Sequence, residues 1–184
     1  GSNIEIKNVC LNKTRIAYIN VLKRMGGKII IKKTGKISGE IVGNIKVKYS
    51  RLRSIVISKT LAPYLIDEYP ILAVAASQAK GVTTMKGLGE LRFKESDRLT
   101  SIHENLLNSG VDTNIIKDDL IIKGSTNKIT GGNKINSFHD HRIAMSFSIL
   151  NLVCKKPLKI NNLKCIDISY PKFNQDLKSL IVNA

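Results

Sequence analysis

Strand-like and helix-like patterns alternate in short stretches along the chain. Near the start, Ile4–Val9 has the pattern of a strand, and Arg15–Met25 has the apolar spacing of a helix. Gly26-Gly27 is a suitable helix stop, and a second strand is predicted at Lys28–Lys32. The opening segment therefore predicts a strand–helix–strand unit.

The same order of elements returns twice further along the chain. The second copy is predicted as a strand at Thr83–Leu88, a helix from Ser96 to Asn108 that stops at Gly110, and strands at Thr113–Ile116 and Leu120–Ile122. The third copy is predicted as a strand at Leu158–Leu163 and a helix at Phe173–Leu180, where the sequence ends, so we expect this copy to be truncated. Repetition of this kind predicts an α/β domain built from related units.

Two further segments, Pro70–Ala76 and Ile143–Leu150, are apolar nearly all round. A helix without a polar face is usually buried, so both are predicted to lie in the core. No Pro-, Ser- or Gly-rich linker divides the chain, and Gly131-Gly132 has the character of a local turn. We therefore expect one domain over residues 1–184.

Charge sets the chain apart from an average globular protein. Lys and Arg number 30 against 14 Asp and Glu, a formal net charge of +16, whereas 42% hydrophobic and 24% charged residues are ordinary for a folded domain. The excess suits nucleic acid, an acidic membrane surface or a phosphorylated metabolite, and a compositional bias toward Lys is the simpler alternative. A basic nucleic-acid-binding domain is disfavoured, because no binding motif is recognisable and only 5% of residues are aromatic.

The three cysteines, Cys10, Cys154 and Cys165, show neither a CxxC nor a Cys/His spacing. An odd number without such spacing argues for a reducing compartment and against a zinc site or a disulfide framework. Cys10 and Cys154 lie among apolar residues and are expected in the core.

No segment has membrane-spanning length or the features of a signal peptide, and Gly1-Ser2 has the character of a cloning scar, so a cytoplasmic protein is expected.

Three charged clusters precede or begin helix-like segments, and they form the candidate site. They are Asp67–Pro70, Arg92–Arg98 and His139–Arg142. The first turn of a helix offers unpaired N–H groups and positive potential, which favour bound anions. Lys94, Arg98 and Arg142 would make such ends receptors for phosphate or carboxylate. Arg142 in particular enters an apolar helix, so it needs an anionic partner or an open cleft.

Each cluster also has a purely structural interpretation. Asp67 and Asp140 are of the residue type that caps helices. Glu95 and Arg98 are three residues apart, the spacing of a surface ion pair that contributes at most about 1 kcal/mol. A single histidine such as His141 is more often a hydrogen-bonded structural residue than a catalyst.

Three segments carry a resemblance to a known family, and they are Leu65–Ala76, Glu90–Arg98 and Asp140–Met145. They resemble three signature segments of the 5-enolpyruvylshikimate-3-phosphate (EPSP) synthase family, in that family's order and approximate spacing. Weaker similarity at Ile6–Asn12 and Ser169–Pro171 extends the match over nearly the whole chain. The resemblance implies an enolpyruvyl transferase-like α/β domain of repeated βαβαββ units with buried helices, which is the C-terminal half of a two-domain enzyme.

The implied reaction transfers the enolpyruvyl group of phosphoenolpyruvate to the 5-hydroxyl of shikimate 3-phosphate and releases phosphate, in the shikimate pathway to aromatic amino acids. The implied partners are these two anionic metabolites and a missing N-terminal domain, with no nucleic acid, membrane, metal or redox cofactor. Because the family's site lies between its two domains, this chain alone is expected to be inactive. The related transferase that acts on UDP-N-acetylglucosamine is the alternative enzyme.

The resemblance also implies roles for individual residues. Asp67 would hold and help deprotonate the shikimate hydroxyl, and Glu95 would work at the methylene carbon, since two carboxyl groups in different environments suit opposing proton transfers. Lys94 would contact shikimate 3-phosphate. Arg98 and Arg142 would bind the carboxylate and phosphate of phosphoenolpyruvate.

Two positions of the family pattern stay open. His141 is adjacent enough to contact substrate, but it receives no firm role. Some family members carry a lysine shortly before a C-terminal Phe/Tyr-Pro pair, where this chain has Ile168 and Ser169 before Tyr170-Pro171. Lys172 follows the proline, and the contact of that lysine with phosphoenolpyruvate is not assigned to it.

Overall fold

The structure, a computed structural model, describes residues 2–182 and alternates strands and helices, as the α/β pattern predicts. The strands are β1 (Asn3–Cys10), β2 (Lys28–Ile37), β3 (Glu40–Lys48), β4 (Val56–Ile57), β5 (Gly81–Met85), β6 (Asp112–Ile116), β7 (Asp119–Gly124), β8 (Ile129–Gly131), β9 (Lys134–Ile135), β10 (Cys154–Lys156) and β11 (Lys159–Ile160). The helices are α1 (Ala17–Arg24), α2 (Ala62–Leu65), α3 (Tyr69–Ser77), α4 (Arg98–Ser109), α5 (His141–Asn151), α6 (Ile166–Ser169) and α7 (Phe173–Val182).

The first sheet, in the order β1-β3-β2, is antiparallel and contains a strand, β3, that the sequence analysis missed. The strand predicted at Lys28–Lys32 continues to Ile37, and the chain then reverses through Ser38 and Gly39, whose φ angles are +48° and +84°. Two left-handed residues in succession are typical of the two-residue hairpin turns that match the twist of paired strands. The Ser-Gly pair was therefore the signal for β3.

The second sheet, in the order β4-β5-β7-β6, corresponds to the second predicted segment. Helix α4 packs against β6 and ends at Gly110, where a φ of +88° gives the left-handed cap that the sequence predicts. At the other end, the Asp97 side chain caps the helix by accepting a hydrogen bond from the Thr100 N–H at 3.0 Å. Both ends of α4 are thus fixed by local sequence.

Helices α3 and α5 pack against each other in the main hydrophobic core, as their apolar sequences predict. Leu72 and Ala73 of α3 and Ile143 and Phe147 of α5 are buried almost completely. Helix α3 also packs against β7, which joins it to the second sheet. The less buried sides of the two helices border a cavity of about 210 Å³.

The third predicted segment is only partly correct. The strand predicted at Leu158–Leu163 is reduced to β11, because Asn162 has a φ of +49° and turns the chain into a 3₁₀ turn at Leu163–Cys165. The helix predicted at Phe173–Leu180 is present as α7. Within residues 2–182, β11 pairs with β9 alone, and the full βαβαββ repetition stays a prediction.

The prediction that Cys10 lies in the core is wrong. A register shift between Ile6 and Val9 resets the alternation of β1, so that Val9 and Leu11 take the inward positions and Cys10 is exposed. Cys154, which was also expected in the core, is only partly buried, whereas Cys165 is buried.

No helix within residues 2–182 combines the length and the apolar character needed to cross a membrane. The cytoplasmic location expected from the sequence stays a prediction.

Candidate active site

The N-terminal ends of α3, α4 and α5 meet at one place and bring four predicted site residues together. Arg98 is the first residue of α4, and it forms ion pairs with Asp67, just before α3, and with Glu95, just before α4. Arg142, the second residue of α5, forms an ion pair with the same Asp67. Segments up to 75 positions apart in the sequence therefore share one cluster of charges.

Arg98 is the centre of this cluster, and its side chain has 0% exposure to solvent. Its Nε donates to Asp140 at 2.7 Å, its Nη1 to Asp67 at 3.1 Å and its Nη2 to Glu95 at 2.5 Å. Burial lowers the pKa of Arg98, but the hydrogen bond and charge of Asp140, together with Glu95 and Asp67, outweigh burial and raise that pKa above its ordinary value. One buried cation thus joins three carboxylates.

Asp140 is the buried partner of Arg98, and the sequence analysis gave it no role beyond capping a helix. It does cap α5, since its carboxylate accepts from the Arg142 N–H at 2.9 Å, and it also accepts from Arg98 and from the Ser96 hydroxyl at 3.2 Å. Phe138 and His139, directly before it, have left-handed φ angles of +52° and +58°. Such conformations are costly for non-glycine residues, and here they turn the chain so that Asp140 points inward.

Asp67 bridges the two arginines of the site. One carboxylate oxygen accepts from Arg98, the other lies 3.3 Å from Nη2 of Arg142, and the Asp67 carbonyl accepts from Nη1 of Arg142 at 3.1 Å. The structural interpretation of Asp67 as a helix cap is wrong, because α3 begins at Tyr69 with Glu68 in the capping position. Arg142 therefore has the anionic partner that its place in an apolar helix requires.

Asp97 holds the beginning of α4 and so the backbone next to Arg98. Its carboxylate accepts from the N–H and the hydroxyl of Thr100 at 3.0 and 2.7 Å, and from Arg92 at 3.1 Å. Burial raises the pKa of Asp97, but the hydrogen bonds from Thr100 and the charge of Arg92 outweigh burial and hold that pKa below its ordinary value. The native state therefore favours the charged cap.

Lys94 and Glu95 are the exposed residues of the predicted site, and His141 is half-buried. Lys94 is exposed, and its ammonium group has no hydrogen-bond or ion-pair partner within residues 2–182. The Glu95 side chain is 51% exposed although its partner Arg98 is buried, so their contact is not the surface ion pair of the structural interpretation. His141 is half-buried at the start of α5 and, among the described residues, its ring makes no hydrogen bond.

Glu68 is a carboxyl group beside the cluster that the sequence analysis left without a role. It is half-buried, borders the 210 Å³ cavity, and lies within range of the charges of Arg142 and Arg15. Burial raises the pKa of Glu68, the charge of Arg142 opposes this, and the charge of Asp67 adds to it. Its position beside Arg142 depends on the packing of α3 on α5, which no local pattern indicates.

We expect Glu68→Gln to stabilise the fold at neutral pH. Because folding raises the pKa of Glu68, the native state binds a proton more readily than the unfolded chain, and the wild type gains stability as pH falls through the raised pKa. Glutamine is neutral throughout, so the variant should have the higher free energy of unfolding at neutral pH and lose this advantage in acid. Urea unfolding at both pH values measures the difference. The exposed Glu90→Gln serves as the control and should show no such advantage, and an E68Q variant no more stable than wild type at neutral pH would contradict the argument.

A sequence model of the family described as EPSP synthase (3-phosphoshikimate 1-carboxyvinyltransferase) matches residues 1–177. The chain belongs to the EPSP synthase family. The family match favours the shikimate enzyme over the alternative transferase that acts on UDP-N-acetylglucosamine.

Similar EPSP synthase family members include curated proteins named 3-phosphoshikimate 1-carboxyvinyltransferase. The protein of Oceanobacillus iheyensis is 43% identical over 181 residues, which are 98% of this chain and 42% of that protein. The protein of Bartonella quintana is 45% identical over 174 residues, which are 94% of this chain and 39% of that protein. The chain thus spans about two fifths of the length of these relatives.

Solved structures give the same result for the fold. EPSP synthase from Acinetobacter baumannii matches with a TM-score of 0.91 and 35% identity, over 95% of this chain and 41% of that one. The enolpyruvyl transferase NikO from Streptomyces tendae matches with a TM-score of 0.70 and 15% identity, over 97% of this chain and 38% of that one, which shows a shared fold alone. The individual roles of the site residues in this EPSP synthase family member stay predictions.

Proposed function

We propose that this chain forms one wall of an active site that transfers the enolpyruvyl group of phosphoenolpyruvate to the 5-hydroxyl of shikimate 3-phosphate. The observation that carries the proposal is the cluster in which Asp67 bridges Arg98 and Arg142 while Glu95 contacts Arg98 from the exposed side. Two carboxylates beside two guanidinium groups at helix N-termini suit a reaction that moves protons next to bound anions. Family membership supports the same reaction.

Each proton of the reaction has a carrier in this proposal. The hydroxyl oxygen bonds to C2 of phosphoenolpyruvate, its proton passes to Asp67, and C3 takes a proton from Glu95, which has taken up that proton from water beforehand. The tetrahedral intermediate then loses phosphate, which carries away the proton from Asp67, while Glu95 takes a proton back from C3 as the double bond returns. The products have the same overall oxidation state as the reactants, so the proposed reaction needs no redox cofactor.

Positive charge holds the two substrates in place. Lys94 and Arg142 are accessible to anions, and we assign the shikimate 3-phosphate contact to Lys94 and the phosphoenolpyruvate contact to Arg142. We also assign a phosphoenolpyruvate contact to Arg98, although its side chain is buried behind carboxylates in this structure. His141 keeps no firm role.

We infer that residues outside this chain supply the opposite wall. The Phe93 side chain beside Lys94 is 80% exposed, and Glu95 is half exposed, so the site surface has no cover within residues 2–182. The length of the relatives leaves room for such a wall, because this chain spans about two fifths of them.

Turnover of the protein extended to the length of its relatives tests the proposal. With phosphoenolpyruvate and shikimate 3-phosphate supplied, phosphate should be released, and Glu95→Gln or Asp67→Asn should lower kcat by about 100-fold or more with a smaller change in KM, since each group acts on a proton in the transition state. Glu104→Gln, an exposed change within α4, is the matched control and should keep kcat. An inactive wild type, or a Glu95→Gln variant of full activity, would overturn the proposal.

A further inference from the structure

We propose that the contact between Arg98 and Glu95 is an exchangeable ion pair, which opens when a substrate anion replaces the Glu95 carboxylate on the guanidinium. Asp140, in contrast, holds Arg98 permanently. This inference rests on the proposed function, because it concerns how that same site admits its anion.

The first argument is that Arg98 has no free surface for a ligand. Its side chain is fully buried, and each of its three nitrogens already donates to a carboxylate. Two of the five guanidinium N–H groups are left over, and because the side chain has 0% exposure, neither can be reached from solvent. An anion can therefore reach Arg98 only by taking the place of one of the three carboxylates.

Burial and bonding decide which carboxylate leaves. Asp140 has 0% exposure and also accepts from the Arg142 N–H and the Ser96 hydroxyl, so its departure would strand a buried charge and uncap α5. Asp67 is held by a second arginine through its other oxygen. Glu95 is 51% exposed and, within residues 2–182, its carboxylate has Arg98 as its only partner. The Glu95 side chain can therefore rotate into the solvent at the lowest cost in free energy.

The charges of the cluster also favour exchange of a carboxylate for the arriving anion. Three carboxylates surround two guanidinium groups, so an arriving phosphate or carboxylate meets an excess of negative charge. Like charges at this range repel strongly in a partly desolvated site. Exchange removes one carboxylate from Arg98 as the anion arrives, so the charge around the buried guanidinium stays nearly constant.

The exchange would couple binding to chemistry. Before the anion binds, the Glu95 carboxylate is engaged with Arg98 and is unavailable to a substrate carbon. Once displaced, the Glu95 carboxylate is exposed to water, from which it takes up a proton, and it lies beside the newly bound anion, where the proposed proton transfer to the methylene carbon requires it. The same event thus binds the phosphoenolpyruvate anion and releases its proton carrier.

Binding of inorganic phosphate to the 184-residue chain tests the exchange without any turnover. Calorimetric titration should give an affinity about 10-fold higher for Glu95→Gln than for wild type, since a neutral amide competes less well for the guanidinium than a carboxylate does. Glu68→Gln is the matched control, because it removes a carboxylate charge that acts on Arg142 and has no hydrogen bond to Arg98. Its phosphate affinity should stay within about threefold of wild type, as expected for a partly exposed charge.

The guanidinium signals of Arg98 in an NMR titration identify the position of exchange. On saturation with phosphate, the Nη2 protons should shift strongly, while the Nε proton, bonded to Asp140, should keep its shift and its protection from solvent. The exchange is wrong if Glu95→Gln leaves phosphate affinity unchanged, if Glu68→Gln raises it equally, or if no phosphate reaches Arg98 in either protein. Each of these results would leave the proposed reaction standing, since that depends on turnover.

Discussion

Phosphate release from phosphoenolpyruvate and shikimate 3-phosphate should fall by about 10⁵-fold or more when the 184-residue chain is assayed without the rest of the protein. The chain offers one accessible guanidinium group, that of Arg142, and the partly exposed carboxylates of Asp67 and Glu95, with Arg98 buried behind them. It can therefore hold an anion loosely but cannot align two reactants or exclude water. Alignment of two reactants in one site can lower a bimolecular barrier by roughly 7–11 kcal/mol, and a whole missing wall removes most of that contribution.

A side-by-side assay of the chain and of the protein extended to the length of its relatives measures this loss. Circular dichroism of the isolated chain is the control, because a folded but inactive chain separates lost alignment from lost structure. Turnover by the purified chain within tenfold of the extended protein would show that the wall described here is sufficient.

Replacing the buried arginine should be the most damaging single change for stability. We expect Arg98→Met to lower the free energy of unfolding by about 3–5 kcal/mol, since it leaves the fully buried carboxylate of Asp140 without its charged partner. Urea denaturation of the chain, followed by circular dichroism, measures the loss.

Two controls make the result specific to the buried pair. Arg92→Met removes a partly exposed arginine that also has two acidic partners, Asp97 and Asp118, and should cost about 1 kcal/mol or less. Adding Asp140→Asn to Arg98→Met removes the stranded charge and should restore part of the loss, as expected for residues that interact directly. A loss from Arg98→Met no larger than that from Arg92→Met would refute the expectation.

The sequence predicted the charged clusters at helix starts well because the signals are local. Asp97 and Asp140 are cap residues, Gly110 is a helix stop, and each stands beside a clear helical pattern. The sequence did not predict that the three helix starts meet, because no local signal shows it. Their meeting depends on the packing of α3 on α5 and on the position of α4, so the residues alone could not show that Arg98 is buried.

The errors in the fold have similarly physical causes. β3 was missed because Ser38-Gly39 was not interpreted as a hairpin turn, although its residue types permit the left-handed conformation. Cys10 was misplaced because a register shift within β1 exchanges the two faces of the strand. The strand at Leu158–Leu163 was predicted too long because Asn162, a residue that tolerates the left-handed region, ends it early.

Arg98 forms ion pairs with carboxylates that come from three separate helix starts. The residues tolerated at one of these positions therefore depend on the residues present at the others. A mutation at Asp67, Glu95 or Asp140 changes the balance of charge for the other two, so its effect depends on which residues they carry. Such positions cannot drift independently during evolution. We expect accepted changes among them to occur in concert, with the arginine as the last of the group to be replaced.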